Sequence, residues 1–160
     1  MLQSIRRDSY KRKVLSYKYR RLFKRAYRLL DISPLKDGGD CGLLCGRKCC
    51  KPMEELGIYL MPNERHALHG SEGKFRWERQ KRGYFLQCDG VCDRKSRPMQ
   101  CRVYPLMPII GLNGLMFIRN PMGGCPIGKS DINPEFIRRC FKAYKLILRN
   151  SKLLRFYYRR

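Results

Sequence analysis

Two stretches, one near each end of the chain, repeat apolar residues at helical spacing on a basic background. The first stripe, at steps of four and three residues, is Leu15, Tyr19, Leu22, Ala26 and Leu29. Near the other end, Asn133 and Pro134 predict an N-cap and a first helical residue. The stripe that follows is Ile137, Phe141, Tyr144 and Leu148. We therefore predict amphipathic helices in residues 1–33 and 131–160, packed on the centre or on each other.

The centre, residues 34–130, shows short patterns separated by turn residues. IYLMPNERHALH predicts a brief extended segment and then a short helix opened by Pro62, and FRWERQKRGYFLQC predicts two strands around a basic turn. In LMPIIGLNGLMFIRN, two apolar runs flank Leu112, Asn113 and Gly114, which predicts a hairpin because Asn and Gly tolerate positive φ. The fold class we expect is α+β: a small, irregular, metal-stapled domain with short strands and a hairpin, flanked by N- and C-terminal basic amphipathic helices.

The centre also carries most of the nine cysteines, and these change the picture. A disulfide framework is disfavoured because no secretion signal is present, the count is odd and Cys49 and Cys50 are adjacent. Adjacent Cα atoms lie about 3.8 Å apart, which is shorter than a disulfide usually spans. A nucleophilic or redox site needs only one or two thiols. Metal ligation explains the surplus best, since sets of four thiolates bind zinc or iron–sulfur clusters.

The cysteine segments also resemble a known family. CGLLCGRKCC, then GIYLMPNE, then GYFLQCDGVCDRKSRPMQCRVYP and CP, resemble the YkgJ-like cysteine-cluster family, a zinc- or iron-chelating domain with a CxxCxxCC signature. RPMQCRVYP matches the family's RPxxCRxFP. The resemblance implies as ligands Cys41, Cys45, Cys49, Cys50, Cys92, Cys101 and Cys125. Two departures stand out: the first cysteines are separated by three residues instead of two, and Cys88 follows the Phe85-Leu86 pair instead of preceding it.

With Cys88 as the eighth candidate ligand, two interpretations of the metal remain open. Eight thiols fit two four-coordinate zinc ions, or one [4Fe-4S] cluster with four thiols left for a second centre or for redox work. Successive side chains diverge, so Cys49 and Cys50 either serve different centres or one of them packs. Cys140, beside the apolar stripe of the last helix, is expected to pack as a small apolar residue.

Four further side chains are of interest as site residues. Arg97 and Arg102 flank Cys101 and, given the family match, are candidates to donate hydrogen bonds to thiolate sulfurs or to a docked anion. His66 and His69 are spaced to share a helix face, but ordinary surface histidines are the favoured interpretation because a third nearby ligand is missing. No paired carboxylates, Ser-His-Asp set or phosphate-binding glycine loop is apparent, so the sequence leaves open whether the protein is an enzyme.

The net charge of +23 over 160 residues is concentrated at the two ends. Residues 1–30 hold 11 Lys and Arg with one acid, and residues 138–160 hold nine with none. These ends predict contact with an acidic protein, nucleic acid or an anionic membrane face, or only a solubilising surface. With neither a membrane-spanning run nor a signal peptide, a cytoplasmic location is expected.

Together these features predict a metal-binding cysteine-cluster protein, iron–sulfur or zinc. It would act in electron transfer, in metal handling or as an accessory to a modifying enzyme. The resemblance adds that some relatives are associated with protein lysine methylation. The alternative is a nucleic-acid-binding module with a structural zinc site.

Overall fold

The structure is a computed structural model that describes residues 2–50, 57–68, 75–88, 96–120 and 124–158. Within these ranges, the side chains of residues 2–12, Cys50 and Cys88 are not described. The helices are α1 (Leu2–Leu29), α2 (Cys41–Cys45), α3 (Met99–Val103), α4 (Pro134–Leu148) and α5 (Ser151–Tyr158). The strands are β1 (Gly57–Tyr59), β2 (Phe75–Gln80), β3 (Gly83–Cys88), β4 (Leu106–Gly111) and β5 (Gly114–Arg119). Short 3₁₀ helices cover Lys48–Cys50, Glu64–Ala67 and Lys129–Asp131.

The strands form two small antiparallel sheets, so the predicted α+β class is confirmed. One sheet has the order β1-β3-β2, and the other is the hairpin of β4 and β5. In the hairpin, Gly111 pairs with Gly114, which leaves Leu112 and Asn113 as the turn. Gly114 has a φ of +94°, a value that a residue with a side chain rarely adopts. The hairpin predicted from its two apolar runs and the two strands predicted around the basic turn are both confirmed.

Helices α1 and α4 pack against each other around one apolar core, as predicted for the two basic helices. Phe23 and Ala26 of α1 are fully buried, as are Leu30 just after it and Phe136 and Tyr144 of α4. Asn133 caps α4 by accepting a hydrogen bond from the Glu135 N–H, and Pro134 is its first residue, as the sequence indicated. The core therefore joins both ends of the chain, which positions the central loops between them.

The buried faces of these helices are rotated from the predicted stripes. In α1, Leu15 is 47% exposed, whereas Phe23 and Tyr27, which the predicted stripe omits, are buried. In α4, Phe136 and Ile147 are buried, although the prediction placed their neighbours in the stripe. Each helix has an apolar arc wider than one row, and the packing partner selects which edge of the arc is covered.

The single C-terminal helix predicted for residues 131–160 is wrong, because the chain forms two helices there. The break lies at Arg149 and Asn150, between α4 and α5. The Asn150 side chain accepts hydrogen bonds from the N–H groups of Lys152 (3.1 Å) and Leu153 (3.3 Å), which caps a new helix. The break turns α5 back toward the core, where Leu153 is fully buried.

Candidate metal centre

The first cysteine set lies on a short capped helix and the turn that follows it. Asp40 caps α2 by accepting a hydrogen bond from the Gly42 N–H at 2.9 Å, and Gly46 ends it with a φ of +57°. Cys41 and Cys45 are one helical turn apart, so both thiols lie on the same side of α2. The Cys45 thiol donates to the Cys41 carbonyl over 3.9 Å. Four residues further on, Cys49 is exposed in a 3₁₀ turn.

Cysteines from two distant segments influence the side chain of Tyr104 electrostatically. Tyr104 follows α3 directly, and its pKa is raised to about 12. Burial is the largest cause, and electrostatic contributions from Cys125, Cys49 and Cys45 add to it because negative charge nearby disfavours the phenolate. One cysteine of the CP segment and two of the CGLLCGRKCC segment therefore lie near enough to Tyr104 to raise its pKa.

The backbone that carries Cys125 is fixed by the hairpin. The Arg119 guanidinium, at the end of β5, donates a hydrogen bond to the Cys125 carbonyl, and its positive charge also lowers the Tyr104 pKa. The Tyr104 hydroxyl is buried and, within the described part of the chain, has no hydrogen-bond partner. A buried hydroxyl without a partner costs about 1–3 kcal/mol. A sulfur atom with negative charge is an acceptor that would remove this cost.

The remaining predicted ligands are less closely placed or are not described. Cys101, on α3, is half-buried and lies near Tyr27, whose pKa it contributes to raising. The side chains of Cys50 and Cys88 fall outside the described residues, as does all of Cys92. Among the residues that are described, no three His, Cys, Asp or Glu side chains are grouped closely enough to hold a metal ion.

Cys140 and His66, which are not predicted ligands, take part in core packing and in a hydrogen bond to α1, respectively. Cys140 is fully buried in the core on α4, as expected for a packed thiol. His66 is half-buried, with Nδ1 at 3.2 Å from the Ser16 hydroxyl on α1. His69 lies outside the described residues.

A buried polar cluster of Tyr27, Glu64 and Arg102 lies beside Cys101. Glu64 is only 1% exposed, and its carboxylate accepts hydrogen bonds from the Tyr27 hydroxyl (2.8 Å), the Met99 N–H (2.7 Å) and the Met61 N–H (3.0 Å). This carboxylate therefore ties α1, α3 and the strand-to-turn segment after β1 together.

The two predicted site arginines, Arg97 and Arg102, are joined by a hydrogen bond in this polar cluster. Arg102 is 4% exposed, its guanidinium carbon lies 4.3 Å from the centre of the Tyr27 ring, and its Nε donates to the Arg97 carbonyl at 2.6 Å. Its charge also lowers the pKa of Glu64. Arg102 thus supports the helix that carries Cys101, while its predicted hydrogen bond to a thiolate stays a prediction.

Burial raises the pKa of Glu64, and the three hydrogen bonds and the Arg102 charge offset part of that rise. The same burial, with the Glu64 charge, raises the pKa of Tyr27 well above its ordinary value, so Tyr27 remains a neutral donor. The cluster therefore holds one carboxyl group whose protonation is coupled to folding.

Replacement of Glu64 with glutamine is expected to change how stability depends on pH. Since the folded pKa is above the unfolded value of 4.5, folded protein binds this proton more tightly. The stability that Glu64 contributes relative to glutamine is complete below the unfolded pKa and is lost as the pH rises through the folded pKa. Urea unfolding of both proteins from about pH 4 to about pH 8 should show the difference shrinking by at most about 1.4 kcal/mol per pH unit. A pH-independent difference would contradict this.

Sequence reasoning missed Tyr27, Glu64 and Tyr104 as parts of the site. Glutamate side chains are usually exposed, so nothing in the sequence marked Glu64 as buried. Its position in GIYLMPNE, one of the segments that carry the resemblance, was the available hint. Tyr104 likewise lies inside RPMQCRVYP, the segment that also carries Cys101 and the two arginines.

No protein-family model, curated protein or solved structure matches the chain. The resemblance to the YkgJ-like family therefore depends on the quoted motifs alone. Across the described ranges, none of the helices combines the length and the apolar character needed to cross a membrane.

Proposed function

We propose that the chain is a cysteine-cluster protein of the YkgJ-like type that binds zinc or a [4Fe-4S] cluster. The observation that supports the proposal is that Cys45, Cys49 and Cys125, from two segments far apart in the sequence, all lie near enough to the buried Tyr104 hydroxyl to raise its pKa. Thiolates from separate loops that converge on one point are typical of zinc and iron–sulfur sites. These three residues are the first candidate ligands, and further thiols come from Cys41, Cys50, Cys88, Cys92 and Cys101.

The groups around the candidate ligands suit negatively charged sulfur atoms. The Tyr104 hydroxyl can donate a hydrogen bond to a metal-bound thiolate, and Arg119 places positive charge near the same group. Supporting donors of this kind orient ligands and tune a metal centre. The strongly basic ends of the chain add a favourable long-range field for a cluster of thiolates.

A bound iron–sulfur cluster would supply one-electron chemistry, whereas zinc would act mainly by holding the loops. Electron transfer, metal handling and an accessory role to a modifying enzyme all remain within this proposal. The alternative, a nucleic-acid-binding module with a structural zinc site, uses the same thiols and differs in what the basic surface contacts.

Anaerobic purification followed by metal analysis and visible absorption tests the proposal. We expect a stoichiometric metal: a brown protein with iron and sulfide, bleached reversibly by reductant, or a colourless protein with zinc. The first result selects the iron–sulfur interpretation and the second selects zinc. Protein that is folded but holds neither metal, even after anaerobic reconstitution with each, would sink the proposal.

A further inference from the structure

A cleft of about 700 Å³ lies between the β2–β3 turn and α5, and it combines positive charge with aromatic rings. Four cationic side chains line it, namely Lys81 and Arg82 from the turn and Lys152 and Arg155 from α5. Tyr59 and Phe156 provide ring surface in the same cleft. None of these residues is a candidate metal ligand, so the cleft is separate from the thiol site.

The four cations are available for an external anion. All four side chains are exposed, and none forms an ion pair with an acid in the described part of the chain. Like charges that line one cleft repel one another. A ligand with several negative charges relieves that repulsion.

The aromatic walls are held in place before any ligand arrives. The Tyr59 hydroxyl donates to Gln80 Oε1 at 2.5 Å, and its ring packs at 5.1 Å from the Phe85 ring. Phe156 packs edge-on against Tyr157 at 5.6 Å, and Tyr157 in turn contacts Tyr144 of the core. Rings that are already fixed lose little entropy when a planar group stacks on them.

From these features we infer that the cleft binds nucleoside phosphates, with the phosphates at the four cations and the base against Tyr59 or Phe156. Cationic grooves with aromatic rings are how proteins hold single strands without reading sequence. The volume lies in the range of small-molecule sites, so a free nucleotide and one segment of a single strand present the same chemistry. An acidic peptide matches the charge but has no planar base for the rings.

Fluorescence anisotropy with a labelled single-stranded RNA of about twelve nucleotides tests the inference on the full chain. Because the whole protein is basic, the test needs a charge-matched control. Lys81→Glu with Lys152→Glu changes the cleft, and Lys24→Glu with Lys145→Glu makes the same charge change at two exposed helix positions outside it.

We expect the cleft variant to lose at least about tenfold more affinity than the control, and its salt slope to fall by about 1.4 because two phosphate contacts are lost. Phe156→Leu should weaken binding by roughly tenfold at constant charge through loss of stacking. Equal losses in the cleft and control variants, with unchanged thermal unfolding, would overturn the inference.

Two competitors identify the source of the ligand. ATP that displaces the RNA more strongly than inorganic tripolyphosphate supports the site and points to free nucleotide, whereas displacement by unlabelled RNA alone supports it and points to a strand. Polyglutamate that competes as well as RNA, with no effect of Phe156→Leu on RNA binding, would show that the cleft recognises charge only and would overturn the role of the base. Metal content should be unchanged in every cleft variant, so failure here is distinguishable from failure of the proposed metal function.

Discussion

Replacement of Cys45 and Cys125 together with serine is expected to abolish stoichiometric metal binding and to destabilise the metal-loaded protein by several kcal/mol. The two cysteines are 80 residues apart in the sequence and both lie near Tyr104, so a metal bound by both would join the two segments. A ligand present at about 1,000 times its dissociation constant stabilises the folded state by about 4 kcal/mol. Metal analysis and urea unfolding, each with and without a chelator, measure both effects.

Cys140→Ala is the matched control for loss of a thiol. Cys140 is fully buried in the core on α4 and is not a candidate ligand. The control should retain its metal, keep the chelator effect of the unaltered protein, and lose on the order of 1 kcal/mol through reduced packing. A Cys45→Ser, Cys125→Ser protein that retains stoichiometric metal would show that these two thiols are not ligands.

The start of α4 and the β4–β5 hairpin followed from local pattern, because local interactions decide them. Asn133 and Pro134 start α4 through a side-chain cap and a fixed φ, which need no distant partner. The hairpin of β4 and β5 depends on two apolar runs and on Gly114 at a positive φ. Signals of this kind are complete within a few residues.

The buried faces of the helices were harder to predict, because tertiary packing selects them. Leu15 fits a helical stripe as well as Phe23 does, yet Phe23 is fully buried and Leu15 is nearly half exposed. The larger ring buries more apolar surface against α4, so packing favours the face that carries Phe23. Asn is a common helix-capping residue, so Asn150 was itself a local signal for the break. The apolar spacing continues on both sides of Asn150 and concealed that signal.

The candidate site likewise combines features that local pattern predicts with features that tertiary packing decides. Cysteine spacing indicated the ligand type, since a surplus of thiols is informative in itself. Which thiols meet depends on how α2, α3 and the segment after β5 approach one another, and no local pattern encodes that approach. Tyr104 and Glu64 acquire their roles only from burial, which a single sequence does not display.

The buried carboxylate leads to the second large prediction, which is that Glu64→Ala lowers the free energy of unfolding by about 3–5 kcal/mol. The substitution removes the acceptor of three hydrogen bonds, from the Tyr27 hydroxyl and from the Met61 and Met99 N–H groups. Each donor left unpaired in the interior costs about 1–3 kcal/mol, and relaxation recovers part of the total. Urea unfolding at neutral pH measures the change.

Glu78→Ala is the control, because Glu78 is exposed and its carboxylate accepts a surface hydrogen bond from Gln80. Its expected effect is within about 0.5 kcal/mol, and similar unfolding midpoints for the two variants would contradict the role given to Glu64.

Glu64 holds the first residue of α3 through the Met99 N–H, and the same short helix carries Cys101 and leads directly into Tyr104. Loss of the carboxylate should therefore loosen the support of the thiol site as well as the core, and metal affinity should fall in Glu64→Ala but not in Glu78→Ala.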